Sequence, residues 1–465
     1  MRRMRVVLIS TYDLGRQPFG LASPAAWLRE AGAEVVCVDV TRTKLPLSDI
    51  RTADLVGFFL PMHTATRLAL GVIDKIRLLN PAARLCAYGL YAPLNADVLR
   101  EHGVETILGA EFEEDLAGVV ETFRLKAEAT SSLPTRSLSS RARGFRLQAD
   151  DPLPHLHFRI PDRSGLPPLA KYASLQIGDR TRVVGYTEAS RGCKHRCRHC
   201  PIVPVYDGRF RAVPVDVVLA DIRAQVTAGA EHITFGDPDF FNGPRHAAAI
   251  IEAVHREWPS LSYDVTIKVE HLLQQRDLLP VLRDTRCAFV TSAVESIDDE
   301  VLAKLEKGHT RADFERTVAE FARIGLAVSP TFVAFTPWMT LAGYCELLQA
   351  IDRLGLVEAV APVQYAIRLL IPQGSRMLEL PDVRALVTHF DPRWLTHTWR
   401  HPDPRVDALQ REVELLVGSR LSAPREDVFA RVWTLAHDRA EIAPPPRQPR
   451  LSRAAIPYLN EPWYC

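Results

Sequence analysis

The segment Ser190-Arg191-Gly192-Cys193-Lys194-His195-Arg196-Cys197-Arg198-His199-Cys200-Pro201 carries the densest chemistry in the chain. Its cysteines follow a Cys-x₃-Cys-x₂-Cys spacing, while Cys37, Cys86, Cys287, Cys345 and Cys465 are scattered. Such a cluster in a long chain points to metal binding or catalysis, not to a disulfide framework. Three thiolates can hold three irons of a cubane and leave the fourth iron open. An open iron can chelate the amino and carboxylate groups of an amino acid, and a reduced cluster can pass an electron to a nearby sulfonium. Lys194, Arg196 and Arg198 are expected to favour ionised thiols. Two other sets remain open at this level. A zinc knuckle would take His195 or His199 as its fourth ligand, although structural zinc sites usually use two separated ligand pairs. A four-cysteine cluster would need Cys287 or Cys345 to fold in.

These cysteines must be positioned by an α/β framework. Residues 180–380 alternate strand and helix, with strands expected at 182–188, 232–235, 263–269, 288–294, 327–334 and 361–371. Helices are expected between them near 214–228, 244–257, 271–284, 311–324 and 340–354. Six such units predict a partial (β/α)₆ barrel over 179–380. The cysteines then sit on the loop at the carboxyl end of its first strand, where such folds place catalytic groups. Residues 1–125 show a second alternation of apolar strands and helices, which predicts a flavodoxin-like doubly wound domain. A polar, Ser/Arg-rich linker is expected over 126–178, helices over 381–440, and an irregular Pro-rich tail over 441–465.

The bulk numbers exclude several classes. Lys and Arg total 57 against 56 Asp and Glu, so nothing suggests a nucleic-acid partner. No apolar run reaches the roughly 18 residues of a membrane span, and the chain is expected to be cytoplasmic.

Residues 180–375 resemble the core of a radical S-adenosylmethionine enzyme, with Cys193, Cys197 and Cys200 as the cluster ligands. The resemblance implies that His199 stands where the family has an aromatic residue that packs on adenine. It also implies that Gly236, Asp237 and Asp239 of Phe235-Gly-Asp-Pro-Asp-Phe-Phe241 contact the methionine ammonium. Glu295 and Ser296 would contact ribose, and Lys268 and Arg368 would bind the methionine carboxylate.

A doubly wound domain ahead of a radical core is similar to the cobalamin-binding branch of that superfamily. On that resemblance Gly15, Gly89, Gly109 and Glu111 would line the cobalamin. The Asp-x-His-x-x-Gly signature of such domains is replaced by Thr11-Tyr12-Asp13-Leu14-Gly15, which offers no histidine to cobalt. His63 is the nearest other imidazole. The whole chain further resembles radical proteins with a Cys-selenocysteine or Cys-Cys tail before Ala-Glu-Pro. This implies a catalytic Cys465 in a chain cut at a selenocysteine codon.

The implied cofactors are a [4Fe–4S] cluster, S-adenosylmethionine and cobalamin. The implied partners are a small-molecule or peptide substrate and a reductase such as flavodoxin or ferredoxin. The implied reaction is radical chemistry, with methylation or rearrangement as its outcome. An iron–sulfur electron-transfer protein and a zinc-binding protein are the competing readings.

Overall fold

The computed structural model describes residues 3–129, 156–447 and 457–460. Cys465 and most of the Ser/Arg-rich stretch lie outside these residues.

The N-terminal unit contains β1 (Arg5–Ser10), β2 (Glu34–Asp39), β3 (Leu55–Phe59), β4 (Arg84–Tyr88) and β5 (Thr106–Ile107). All pair in parallel in the order β2-β1-β3-β4-β5. That is the expected flavodoxin-like order, with helices Phe19–Glu30, His63–Leu79 and Glu113–Ala129 on its faces. The strands are apolar throughout because both faces are covered: Val6, Leu8, Ile9, Val56 and Phe58 are completely buried. Each such side chain contributes about 1.5–3 kcal/mol of transfer free energy.

The larger unit contains β6 (Ser174–Ile177), β7 (Arg180–Thr187), a small pair of β8 (Ser190–Gly192) and β9 (Phe210–Ala212), then β10 (His232–Phe235), β11 (Ser262–Thr266), β12 (Cys287–Glu295) and β13 (Ala327–Phe332). β7, β10, β11, β12 and β13 form a parallel partial barrel. The helices Val215–Thr227, Pro244–Glu257, Arg311–Ile324 and Leu341–Arg353 fall where the apolar periodicity places them. Their buried faces close over the sheet in the largest apolar core of the chain.

Five expectations change. The helix expected over 271–284 is split into Val269–Gln274 and Leu279–Asp284, the second opening on Pro280. The sixth strand, expected at 361–371, is instead a tight turn at Pro362–Tyr365 and a single bridge between Phe335 and Arg368. Gln364 explains part of this, because its Oε1 accepts from the Phe332 N–H at the end of β13 (2.9 Å). Residues 381–440 are not all helical, since β14 (Val387–Asp391) and β15 (Thr396–Trp399) form a hairpin. The tail is not wholly irregular, since β16 (Tyr458–Asn460) pairs antiparallel with β6. The expected linker loses both ends to regular structure: a helix runs on to Ala129, and β6 lies before 178. Its described part fastens the two units. Arg163 donates to Asp221, Gln17 and the Tyr186 carbonyl, and Asp162 N–H donates to the Ala22 carbonyl.

The strongest tie between the units is Arg191, in β8. Its guanidinium donates to both Glu113 oxygens at 2.6 and 3.0 Å and to Glu188 at 2.7 Å. Phe19, Phe112 and Phe158 surround it with their rings. Ser23 donates to the same Glu113 oxygen at 2.6 Å. Glu113 is fully buried and Arg191 is 8% exposed, so water cannot replace either partner. Arg191→Met should therefore destabilise the chain by about 3–5 kcal/mol, because buried Glu113 and half-buried Glu188 lose their cation. Chemical denaturation measures this, and a loss below about 1 kcal/mol would contradict the assigned role.

Candidate functional site: the cysteine loop and its surroundings

β7 and β8 deliver the cysteine loop to the carboxyl edge of the partial barrel. Two features shape it. Gly192 has φ +75°, and a Cβ there would meet Tyr206 Cδ1 at 2.4 Å and the Arg209 carbonyl oxygen at 2.5 Å. Asp237, at the end of β10, accepts from Ala189 N–H (2.9 Å) and Ser190 Oγ (2.5 Å). Burial pushes the Asp237 carboxyl up to about 7. Asp237 thus anchors the loop's entry from below. Gly236 lets the Tyr186 ring pass, since a Cβ there would lie 1.8 Å from Tyr186 Oη.

Cys193, Cys197 and Cys200 carry free thiols. Burial pushes the thiol of Cys193 up to about 11 and that of Cys200 up to about 12. The other two thiols add to the rise at Cys200, so the three form one group. Cys287 and Cys345 do not join them. Cys287 lies at the amino end of β12, with Sγ against the Phe289 carbonyl (3.2 Å), and Cys345 is buried in the helix Leu341–Arg353.

The cations at the thiols come from elsewhere than expected. Arg196 pairs with Asp207, and Arg198 with Glu306. In their place stand two buried lysines: Lys268 acts on Cys193, and Lys307 acts on Cys200. Lys268 Nζ donates to Glu270 Oε2 and lies 3.0 Å from His195 Nδ1. Lys307 Nζ donates to Glu295 Oε1 at 3.4 Å, and His199 Nε2 is 3.1 Å from the same oxygen. Burial opposes ionisation of Glu295, but Lys307 and His199 overcome it and hold its carboxyl at about 2. Glu295 has φ +69°, a strained conformation for a non-glycine residue at a strand end. His309, between Lys307 and the helix Arg311–Ile324, is buried with both ring nitrogens unpartnered. Burial and the neighbouring lysines lower its pKa to about 4, so it is a neutral imidazole.

The structure therefore gathers His199, Lys268 and Glu295 around the cysteines. It adds Lys307, His309, Glu270 and His195. Lys307 and His309 flank Gly308, whose φ of +72° turns the chain back onto Glu270. That Lys-Gly-His turn was the legible signal. Ser296 caps a local turn through Asp298 N–H. Arg368 is not brought to the cysteines; it pairs with Asp407 at 2.7 Å and stacks on Trp399. Burial opposes ionisation of Asp239, but His195 and His271 override it and keep its carboxyl below the usual range.

The N-terminal sheet presents its carboxyl edge to the same loop. Leu90 and Ala110 pack on Ile202, Val205 and Tyr206, and Tyr206 Oη donates to Glu111 Oε1 at 2.7 Å. Tyr91 lies close enough to Cys200 for the thiol to influence its ionisation. Gly89 has φ +107°, and a Cβ there would lie 2.9 Å from the Leu60 carbonyl oxygen. Gly89 N–H donates to the Gly109 carbonyl, and the Gly15 carbonyl accepts from Ala173 N–H. His63 Nε2 bonds the Trp394 carbonyl of the β14–β15 turn, and Arg67 stacks on the Trp394 ring.

Residues 187–341 match the Radical SAM superfamily. A radical SAM domain implies a [4Fe–4S] cluster and S-adenosylmethionine as cofactors. Three neighbouring free thiols with two buried lysines fit such a cluster. Among known proteins, a ribosomal protein uS12 methylthiotransferase, RimO, of Parabacteroides distasonis is 25% identical over 182 residues, 36% of this chain and 41% of that one. The hopanoid C-3 methylase of Methylococcus capsulatus is 24% identical over 333 residues, 69% of this chain and 62% of its own. The chain thus spans under two-thirds of each of these relatives. In fold, the chain is similar to the cobalamin-dependent S-adenosylmethionine radical enzyme OxsB, with TM-score 0.65, 14% identity and coverage of 94% of this chain and 72% of that one. It is also similar to the radical S-adenosylmethionine methyltransferase TsrM of Kitasatospora setae, with TM-score 0.58, 18% identity and coverage of 81% and 75%.

Lys307→Met tests the electrostatics directly. Loss of the buried ammonium should slow alkylation of Cys200 in the cofactor-free chain by about three- to tenfold at fixed pH, through a smaller thiolate fraction. Mass spectrometry after timed alkylation measures it, and an unchanged rate would remove Lys307 from this role.

Proposed function

We propose that the protein reductively cleaves S-adenosylmethionine at a [4Fe–4S] cluster held by Cys193, Cys197 and Cys200, and acts on its substrate together with a cobalamin held at the junction of the two sheets. The observation that carries this reading is the shared edge: Tyr91 lies near Cys200, and Glu111 accepts a hydrogen bond from Tyr206, just beyond the cysteines. When bound, the reduced cluster supplies the electron that breaks a carbon–sulfur bond of the sulfonium.

The chain's own residues bind, orient and balance charge. Lys268 and Lys307 offset the negative charge of a thiolate-bound cluster, and Lys268 also takes the methionine carboxylate. Glu295, held by His199 and Lys307, accepts from the ribose hydroxyls, and the His199 ring packs on adenine. The apolar cluster of buried Val205 with half-buried Leu90 and Ile202 beside the cysteines limits water at the reacting centre. Gly15, Gly89 and Gly109 let backbone approach the cobalamin. His63 is committed to the Trp394 carbonyl and is not a ligand to the cobalt. Methylation of an unactivated carbon is the reaction this arrangement supports best, with a small molecule or peptide as substrate and flavodoxin or ferredoxin as reductant.

Anaerobic reconstitution tests the core of the reading. The wild-type chain should take up a full cluster and release 5′-deoxyadenosine on reduction, while Cys193→Ala, Cys197→Ala and Cys200→Ala each lose both. Retention of a complete cluster by the triple variant would overturn it, as would absence of 5′-deoxyadenosine from the loaded wild type.

Bound cobalamin should show no nitrogen hyperfine splitting in the paramagnetic spectrum of its Co(II) state. A splitting that disappears in His63→Ala would contradict the assignment of His63.

A further inference from the structure

Asp239 follows β10 and caps the turn Phe240–Asn242, accepting from Phe241 N–H through Oδ1. Its other oxygen, Oδ2, is buried and makes no hydrogen bond. Yet Oδ2 lies 2.7 Å from His271 Nδ1 and 3.4 Å from His195 Nε2, and neither nitrogen has a hydrogen-bond partner either. The atoms are close yet fall outside hydrogen-bond geometry. The two imidazoles stand 4.5 Å apart, centre to centre. Each of the three residues comes from a different segment: the cysteine loop, the turn after β10, and the helix Val269–Gln274 after β11.

We propose that His195 Nε2, Asp239 Oδ2 and His271 Nδ1 form a mononuclear site for a divalent first-row metal ion, separate from the cysteine cluster. Two imidazoles and one carboxylate are a donor set for zinc or iron(II) that leaves further positions open. Metal–ligand bonds of about 2.0–2.2 Å place neighbouring donors about 3–3.5 Å apart, and Asp239 Oδ2 lies 2.7 and 3.4 Å from the two nitrogens, with all three donors within 4.8 Å of one another. The surroundings supply the usual outer support. Glu270 Oε2 lies 3.5 Å from His195 Nδ1 and is itself held by Lys268 at 3.0 Å. With the ion on Nε2, His195 carries its proton on Nδ1 and donates it to Glu270. Without the ion, Lys268 donates to Nδ1 and the proton sits on Nε2. The ion thus selects a tautomer and leaves the imidazole neutral. Its open positions would take water or an oxygen or nitrogen donor of the substrate.

Cobalt(II) is the probe. In the full chain with Cys193, Cys197 and Cys200 all changed to Ala, no cluster forms and none of the three clustered thiols competes. One equivalent of Co²⁺ should bind and give weak visible ligand-field bands without thiolate-to-cobalt charge transfer. Zn²⁺ should displace it. Asp239→Ala and His271→Ala should weaken binding at least about 10–100-fold, and Glu270→Gln by about 10–100-fold. Far-UV circular dichroism and the size-conserving His271→Gln separate ligand loss from misfolding. In parallel, the cluster-loaded wild-type chain should hold one Co²⁺ beyond its cluster iron. Absence of stoichiometric uptake in both chains, or uptake indifferent to Asp239→Ala and His271→Ala, would overturn the site and leave the triad as a packing cluster. Because the first arm contains no cluster cysteines, its outcome does not depend on the radical reading.

Discussion

The architecture depends on one buried guanidinium. Arg191 lies two residues before Cys193 and binds Glu113 of the N-terminal unit through both carboxylate oxygens. A bidentate pair of this kind fixes distance and orientation together. Its aromatic surroundings, drawn from both the N-terminal unit and the connecting strap, exclude water that would otherwise screen it. Two independent α/β units would otherwise meet through a modest and slippery interface. With Arg191 in place, the register of the cysteine loop and the position of the N-terminal sheet's edge become one variable.

A second constraint is electrostatic. Burial makes thiols hard to ionise, as the elevated values for Cys193 and Cys200 show. The fold answers with two buried lysines brought from the loops after β11 and β12, each balanced by its own carboxylate: Lys268 with Glu270 and Lys307 with Glu295. The exposed Arg196 of the cysteine loop does little here, because solvent screens it and Asp207 occupies it. The left-handed backbone at Glu295 is consistent with the same demand: the strand end bends to hold one carboxylate between a lysine and a histidine.

Much of this was legible in the residues. The helices Pro244–Glu257 and Arg311–Ile324 fall where apolar periodicity and caps place them; Thr310 and Asp313 form a capping box, and Gly325 closes the helix in the left-handed region. The parallel strands could be read from their uninterrupted apolar runs. The misreadings came where one side chain decides. Residues 361–371 look like a strand, yet Gln364 takes the hydrogen bond a strand's backbone would have taken. The β14–β15 hairpin was hidden by its short strands, and β16 by its distance in sequence from β6, its only strand partner among the described residues.

By itself the sequence determined the cysteine triad, the alternation that builds two parallel sheets, and the loop at a strand's carboxyl end where the triad must sit. These follow from local pattern, because spacing, periodicity and turn residues act over a few positions. Tertiary structure alone decided which charges meet the thiols, that Arg368 serves Asp407, that His63 is spent on a distant carbonyl, and that His195, Asp239 and His271 share one point. Those facts join residues tens to hundreds of positions apart. The energy of a buried charge or an unpartnered nitrogen depends on everything packed around it, and that packing exists only once both sheets have closed on each other.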